Sequence, residues 1–275
     1  MKYLLTAFLL GACAMPATAQ LIVAHRGASH TAPENTLAAF RLAWEEGADG
    51  AEGDFYLTAD NQIVCIHDKD TKRTAGKKLM VADSSFDELR KLDVGSWKDK
   101  KYAGEKIPTL AEVLETVPDG KRMVIELKTG PEIVEPLQEV LADSDVPNDK
   151  LLIIAFNADT VLACKRKLPE IKAHWLTGYK RNNRGAWTPS LVKVVQTMRA
   201  TGADGLGSNG KPDIFDREFI SKLKREGLGE FHVWTIDDPE VAKFYIEQGA
   251  YGITTNRPGW LRKELGDALK KPEEG

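Results

Sequence analysis

The sequence is poor in cysteine, in net charge and in long apolar runs, and each shortage removes a class of protein. Three cysteines in 275 residues cannot build a disulfide scaffold. Cys13 lies in the first apolar stretch. That leaves Cys65, in a strand-like run, and Cys164, in a helix-like run, which are expected as single buried thiols. Lysine and arginine number 38 against 41 aspartates and glutamates, a formal charge of -3. Such a balance offers no basic surface for a polyanion, so no nucleic-acid partner is implied. Internal repeats are absent, as is low complexity beyond the polar KKPEEG at the C-terminus.

The longest apolar stretch, at the N-terminus, is too short to cross a bilayer, so no stable membrane insertion is expected. It has another reading. MKY gives a positive start, LLTAFLLGA a short apolar core, and Pro16 breaks it. Ala17-Thr18-Ala19 then forms a small-residue cleavage site before Gln20. This is the pattern of a secretory signal peptide over residues 1–19. It implies export to the periplasm or the medium and a mature domain of residues 20–275. A competing reading takes Leu10-Gly11-Ala12-Cys13 as a lipoprotein acylation site. Against it, the first strand follows Cys13 too closely for a flexible tether.

What the chain does hold is alternation. Short β-branched runs occur at 21–25, 50–57, 123–128, 151–156, 172–177, 203–208, 231–236 and 251–256. Amphipathic helical patterns lie between them, such as 36–47, 131–142, 239–249 and 258–270. Repeated strand–helix units predict a parallel sheet, and eight of them predict a closed (β/α)8 TIM barrel. One run, QIVCIHD (62–68), breaks the alternation. Only TADNQ separates it from the second strand, too little for a parallel crossover, so it must fold back as an antiparallel hairpin. A turn centred near Ala59-Asp60 sets His67 approximately opposite Glu52. Residues 69–108, rich in lysine and aspartate, read as a small insertion between strand 2 and helix 2, with a capping-box signal at Ser85 and Glu88.

In such a barrel the C-terminal strand ends converge on the active site. His25 and Arg26 end strand 1. Glu52 and Asp54 are two apart in strand 2 and share one face, and Glu126 and Lys128 repeat that spacing in strand 3. His67 returns by the hairpin. Each alone has a plainer explanation: a structural histidine, a solvated edge, an ion pair. Together, several charges in one barrel mouth are costly unless a metal or ligand uses them. Three carboxylates without cysteine suit one hard divalent cation, Mg2+ or Ca2+. Two histidines suit an acid and a base, with the assignment open. Arg26 and Lys128 suit a phosphate-like anion. Metal-assisted phosphoryl transfer is the natural chemistry. A rival arrangement, with histidines ligating iron or zinc, would leave the two cations without a purpose. Trp234 either faces the mouth, packing against a glycerol or sugar face, or is plain core. Residues 252–258 shape the turn into the last helix, and His30, His174 and His232 read as structural.

HRG followed by APENT, then EGD, IHD, GSW…AGEKIPTLAEVL, ELK, VWT and ITTNRP occur in that order. With this set the chain resembles the glycerophosphodiester phosphodiesterases, a (β/α)8 family, from Leu21 to about Leu269. The resemblance implies a small-molecule glycerophosphodiester substrate, cleaved to glycerol 3-phosphate and an alcohol. It implies Glu52, Asp54 and Glu126 as divalent-metal ligands and His25 and His67 as the acid/base pair. It also implies Arg26 and Lys128 as phosphate contacts, Trp234 as a pocket residue and 69–108 as the family's insertion. One departure is Gly53, where many members carry an aliphatic residue. That side faces away from the mouth, so packing behind the wall should differ while the chemistry stays intact. Two alternatives stand beside this reading. One is an inactive binding module of the same fold, but no catalytic position is replaced. The other is a phospholipase D-like enzyme with a larger lipid substrate, but residues 69–108 are too polar for the apolar rim it would need. No serine, threonine or cysteine converges with these residues, so the substrate's own glycerol 2-hydroxyl is the expected nucleophile, through a cyclic phosphate.

Overall fold

The structure is a computed structural model that describes residues 20–269; the predicted signal peptide and Cys13 lie outside the described residues. Eight parallel strands close into a barrel, as the alternation predicts. They are β1 (Leu21–His25), β2 (Gly50–Leu57), β4 (Arg122–Leu127), β5 (Leu151–Ala155), β6 (Lys172–Thr177), β9 (Gly205–Asn209), β10 (Phe231–Trp234) and β11 (Gly252–Thr255); β3 (Ile63–Cys65) belongs to the hairpin described below, and β7 (Lys180–Arg181) and β8 (Trp187–Thr188) pair as a separate ribbon. The circuit runs β1, β11, β10, β9, β6, β5, β4, β2, and β2 pairs again with β1 through His25 and Glu52. Every residue of β5 is buried, because one face meets the barrel interior and the other meets helices. Val23, Val124, Leu152, Ile154 and Leu176 fill the inside.

Most of the outer helices begin where short polar side chains cap them. Thr36 caps α1 (Leu37–Glu45), Thr109 caps α4 (Leu110–Leu114) and Asn157 caps α6 (Ala158–Lys167), while α5 (Val134–Ala142) has no side-chain cap. Ser190, Asp216 and Asp238 cap α7 (Leu191–Thr201), α8 (Arg217–Arg225) and α9 (Pro239–Glu247). In each capped helix, a side-chain oxygen accepts from a backbone N–H that the helix itself cannot satisfy. Among the described residues, no helix is long and apolar enough to cross a membrane.

The hairpin is present, with β3 (Ile63–Cys65) antiparallel to the far end of β2. Its register is one residue away from expectation. Phe55 faces Cys65, so the same register continued sets His67 against Gly53 rather than Glu52. The cause is a three-residue loop centred on Asp60: Thr58 N donates to Gln62 O at 2.9 Å, and Asn61 closes the turn with φ 59. The rim insertion holds α2 (Lys72–Ala75) and α3 (Phe86–Arg90). The expected capping box is formed by Ser85 and Glu88. Val81, Leu89, Val94 and Ile107 pack on Val64 and Ile66 as a small satellite core. Cys65 and Cys164 are buried free thiols. At Gly53 an added Cβ would stand 3.0 Å from Phe40 and 3.1 Å from the Cys65 sulfur, so these side chains fill the place behind the wall.

Candidate active site

The end of β1 turns on two consecutive left-handed residues, Arg26 at φ 56 and Gly27 at φ 75. A Cβ at Gly27 would lie 2.5 Å from the Ala39 carbonyl carbon, so glycine is required. Arg26 pays a conformational cost that its surroundings hold in place. Its N–H donates to Glu52 Oε2 at 3.0 Å, and its carbonyl accepts from Asn35 N at 3.0 Å. The turn therefore ties the HRG segment to a β2 carboxylate.

Glu52 and Asp54 are 2% and 1% exposed. With Glu126 they bring carboxylate oxygens within 4.8 Å of one another. Burial, then repulsion from Asp54 and Glu126, pushes the Glu52 pKa well above the usual carboxylate range. Asp54 goes the other way: burial would raise it, but Lys128 and Arg26 outweigh burial and hold it ionised. Lys128 Nζ lies 2.7 Å from Glu126 Oε1 and 3.2 Å from Asp54 Oδ1, and Arg26 Nε lies 3.1 Å from Asp54 Oδ2. Even so, Glu52 Oε1 is buried without a hydrogen bond. A buried orphan oxygen in an all-oxygen cluster fits a hard divalent cation.

Both histidines have one nitrogen occupied. His25 Nδ1 is 2.7 Å from Asn256 Oδ1. Asn256 is oriented by Asp237, which accepts from its Nδ2 at 2.7 Å and its backbone N–H at 2.9 Å. The amide oxygen thus faces the ring, His25 carries its proton on Nδ1, and Nε2 is left as a lone pair. Burial, then neighbouring Arg26, lowers the His25 pKa below its ordinary value. His67 Nδ1 lies 2.7 Å from Asp68 Oδ1. Asp68 is bound in turn by Arg73 Nε at 2.6 Å, and Arg73 and Arg26 both donate to Glu34. This ion-pair chain joins the insertion to the end of β1.

His25, Arg26, Glu52, His67, Glu126 and Lys128 line one cavity of about 210 Å³. Trp234 lines it as well, with its ring edge-on to half-exposed Phe156 at 5.5 Å. Asp54 sits directly behind, hydrogen-bonded by Asn35 Nδ2 at 2.8 Å. All eight residues singled out from sequence therefore meet at one end of the barrel. Missed were the residues that orient them: Glu34, Asn35, Asp68, Arg73, Asp237 and Asn256. Three of the segments concerned, APENT, IHD and ITTNRP, stand out in the sequence without revealing what their polar side chains touch. Asn256 does more than shape a turn, since it sets the tautomer of His25.

The pattern of the Glycerophosphoryl diester phosphodiesterase family matches residues 25–260. The chain belongs to that family. A glycerophosphodiester phosphodiesterase of Caldanaerobacter subterraneus subsp. tengcongensis is 35% identical over 248 residues, covering 88% of this chain and 96% of that one. A glycerophosphodiester phosphodiesterase of Bacillus altitudinis is 34% identical, covering 86% and 94%. Among solved structures, an Oleispira antarctica phosphodiesterase in complex with the product sn-glycerol-3-phosphate superposes with a TM-score of 0.78 at 29% identity. It covers 89% of this chain and 96% of that one. Glycerophosphodiester phosphodiesterase from Thermotoga maritima gives 0.69 at 27% identity, covering 89% and 97%. The (β/α)8 barrel described above is the family's architecture.

Proposed function

We propose that this protein hydrolyses glycerophosphodiesters to glycerol 3-phosphate and an alcohol, through a cyclic glycerol phosphate, with His25 and His67 exchanging protons. Family membership makes it a phosphoric diester hydrolase. The observation that carries the finer reading is the cavity itself. Two imidazoles, each anchored through Nδ1, line it together with buried carboxylates and two fixed cations.

Glu52, Asp54 and Glu126 would hold one divalent cation, Mg2+ or Ca2+, which when bound supplies positive charge against the phosphoryl oxygens. Arg26 and Lys128 supply N–H donors to the same anionic group. His25, neutral and with its Nε2 lone pair free, takes the proton of the glycerol 2-hydroxyl. That oxygen attacks phosphorus, and the bond from phosphorus to the alcohol oxygen breaks. His67, steadied by Asp68, gives the departing oxygen a proton. In the second step His67 takes a proton from water, the water oxygen opens the cyclic phosphate, and His25 returns its proton to the glycerol oxygen. Thr235 and Thr254 also line the cavity, but neither is hydrogen-bonded to an imidazole, so neither is activated as a protein nucleophile. Holding nucleophile and phosphorus in one molecule removes much of the entropic barrier. The reaction takes place outside the cytoplasm, in keeping with the signal-peptide pattern of residues 1–19.

The test is to assay purified protein on several glycerophosphodiesters, with divalent ions stripped and then restored as Mg2+ or Ca2+. Glycerol 3-phosphate should appear only after restoration. Full activity in excess chelator would refute the cation, and failure to release glycerol 3-phosphate from any diester would refute the substrate class.

A further inference from the structure

Beneath the carboxylates the barrel encloses a second pair of histidines, which reading the sequence leaves as structural. His174 on β6 and His232 on β10 are 0% and 3% exposed, and their rings stack at 5.1 Å. The two inward positions of the strand between them, Gly205 and Gly207, make the room. A Cβ at Gly205 would lie 2.5 Å from His174 Nε2, and one at Gly207 would lie 2.5 Å from His232 Cε1. The rings meet through their Nδ1 atoms at 2.9 Å, and His174 Nε2 lies 3.0 Å from Glu230 Oε1. Burial would raise the Glu230 pKa, but hydrogen bonds from His174 and Lys172 bring it down to about 2, so it is a carboxylate and can only accept.

With one proton on each ring, that acceptor sets where both protons sit. His174 donates from Nε2 to Glu230, which makes its Nδ1 a lone pair. His232 must then donate from Nδ1, and its Nε2 becomes a lone pair too. His232 Nε2 is buried, has no hydrogen bond, and belongs to a ring that lines the active-site cavity. It stands one inward position below Trp234, at the deep end, beside Ile154, Leu176 and Thr254. Ile154 and Leu176 offer no hydrogen-bonding group there.

We propose, resting on the function argued above, that His232 is a specificity-determining residue: its Nε2 accepts a hydrogen bond from the terminal hydroxyl of the substrate's glycerol group. Three arms of a glycerol phosphate need three environments. The phosphoryl group takes the charged wall, and the 2-hydroxyl takes His25. The terminal hydroxyl is left for the deep end, where an acceptor without a proton demands a donor. A carbon bearing hydrogen or an acyl ester at that place has no proton to give, and it leaves Nε2 unpaired. Selectivity for a deacylated glycerol group follows.

The experiment compares glycerophosphocholine with its terminal-deoxy analogue, the phosphocholine diester of propane-1,2-diol. Wild type should prefer the parent in kcat/KM by on the order of ten- to a hundred-fold. His232→Phe should lower kcat/KM on the parent and reduce that preference to below about threefold, since nothing remains to read the hydroxyl. A preference kept in full by His232→Phe overturns the proposal. Nitrogen-15 spectra of histidine-labelled wild type give an answer that needs no variant. His232 should show a protonated Nδ1 and an unprotonated Nε2, whose resonance moves on addition of glycerol 3-phosphate but not of inorganic phosphate. A protonated Nε2, or no response to glycerol 3-phosphate, overturns it as well. If wild type cleaves neither diester, the substrate reading fails separately, while the spectra still report the tautomers.

Discussion

Replacing Glu52 by glutamine should make the ion-free protein more stable and nearly inactive. Glu52 is buried, one of its oxygens has no partner, and two more carboxylates lie within 4.8 Å. At an effective dielectric constant of about 20, two unit charges at that separation repel by roughly 3 kcal/mol. Arg26 and Lys128, together with the readier proton uptake of Glu52 itself, offset part of this, so the net relief from replacing the carboxyl is about 1–2 kcal/mol. The amide keeps an acceptor for the Arg26 N–H and gains a donor for its neighbours. For a domain of this size the change corresponds to a rise in Tm of roughly 2–8 °C in chelator. Activity should fall at least on the order of a hundred-fold, because the site loses a ligand charge. Added Mg2+ or Ca2+ should then stabilise wild type, by about 2.7 kcal/mol at a hundred times its Kd, and the variant far less. Thermal melts with and without chelator measure all of this. A lower Tm for the variant in chelator, or an undiminished response to the cation, would show that the cluster is not a frustrated cation site.

Other consequences are as direct. His25→Ala and His67→Ala should each cost on the order of a hundred- to ten-thousand-fold in turnover, and near-normal kcat in either would reduce that histidine to a structural role. The His25 pKa is lowered from its ordinary value of 6.5, so the base stays neutral into more acidic solution. The acid limb of kcat/KM should lie below that value, and a limb above it would contradict the assignment of His25 as base. A substrate lacking the 2-hydroxyl should bind but turn over very slowly. Comparable turnover would mean direct attack by water and the end of the two-step scheme. Mass spectrometry of native protein should find Gln20 at the N-terminus, whereas a diacylated Cys13 would establish the lipoprotein reading.

What the sequence by itself determined is what depends on neighbours along the chain. Strand runs, helix caps, the capping box at Ser85 and the antiparallel sense of QIVCIHD follow from periodicity, local hydrogen bonding and connection length. Eight such units have one economical closure, the barrel, and strand-end charges then meet at its mouth. Tertiary structure decided what depends on contact across the closed sheet. His25 meets Asn256 across 231 positions, Glu34 meets Arg73 across 39, and His174 meets His232 across 58. No local pattern encodes such pairs, because they exist only once strand order and register have set the distances. The hairpin makes the point on a small scale. Its existence was legible, yet one loop residue moved His67 by a position along β2, and side chains change face with every such step. The same dependence governs protonation. His25 and His232 have the same chemistry in the sequence, and only the partners at their Nδ1 atoms decide what each Nε2 can do.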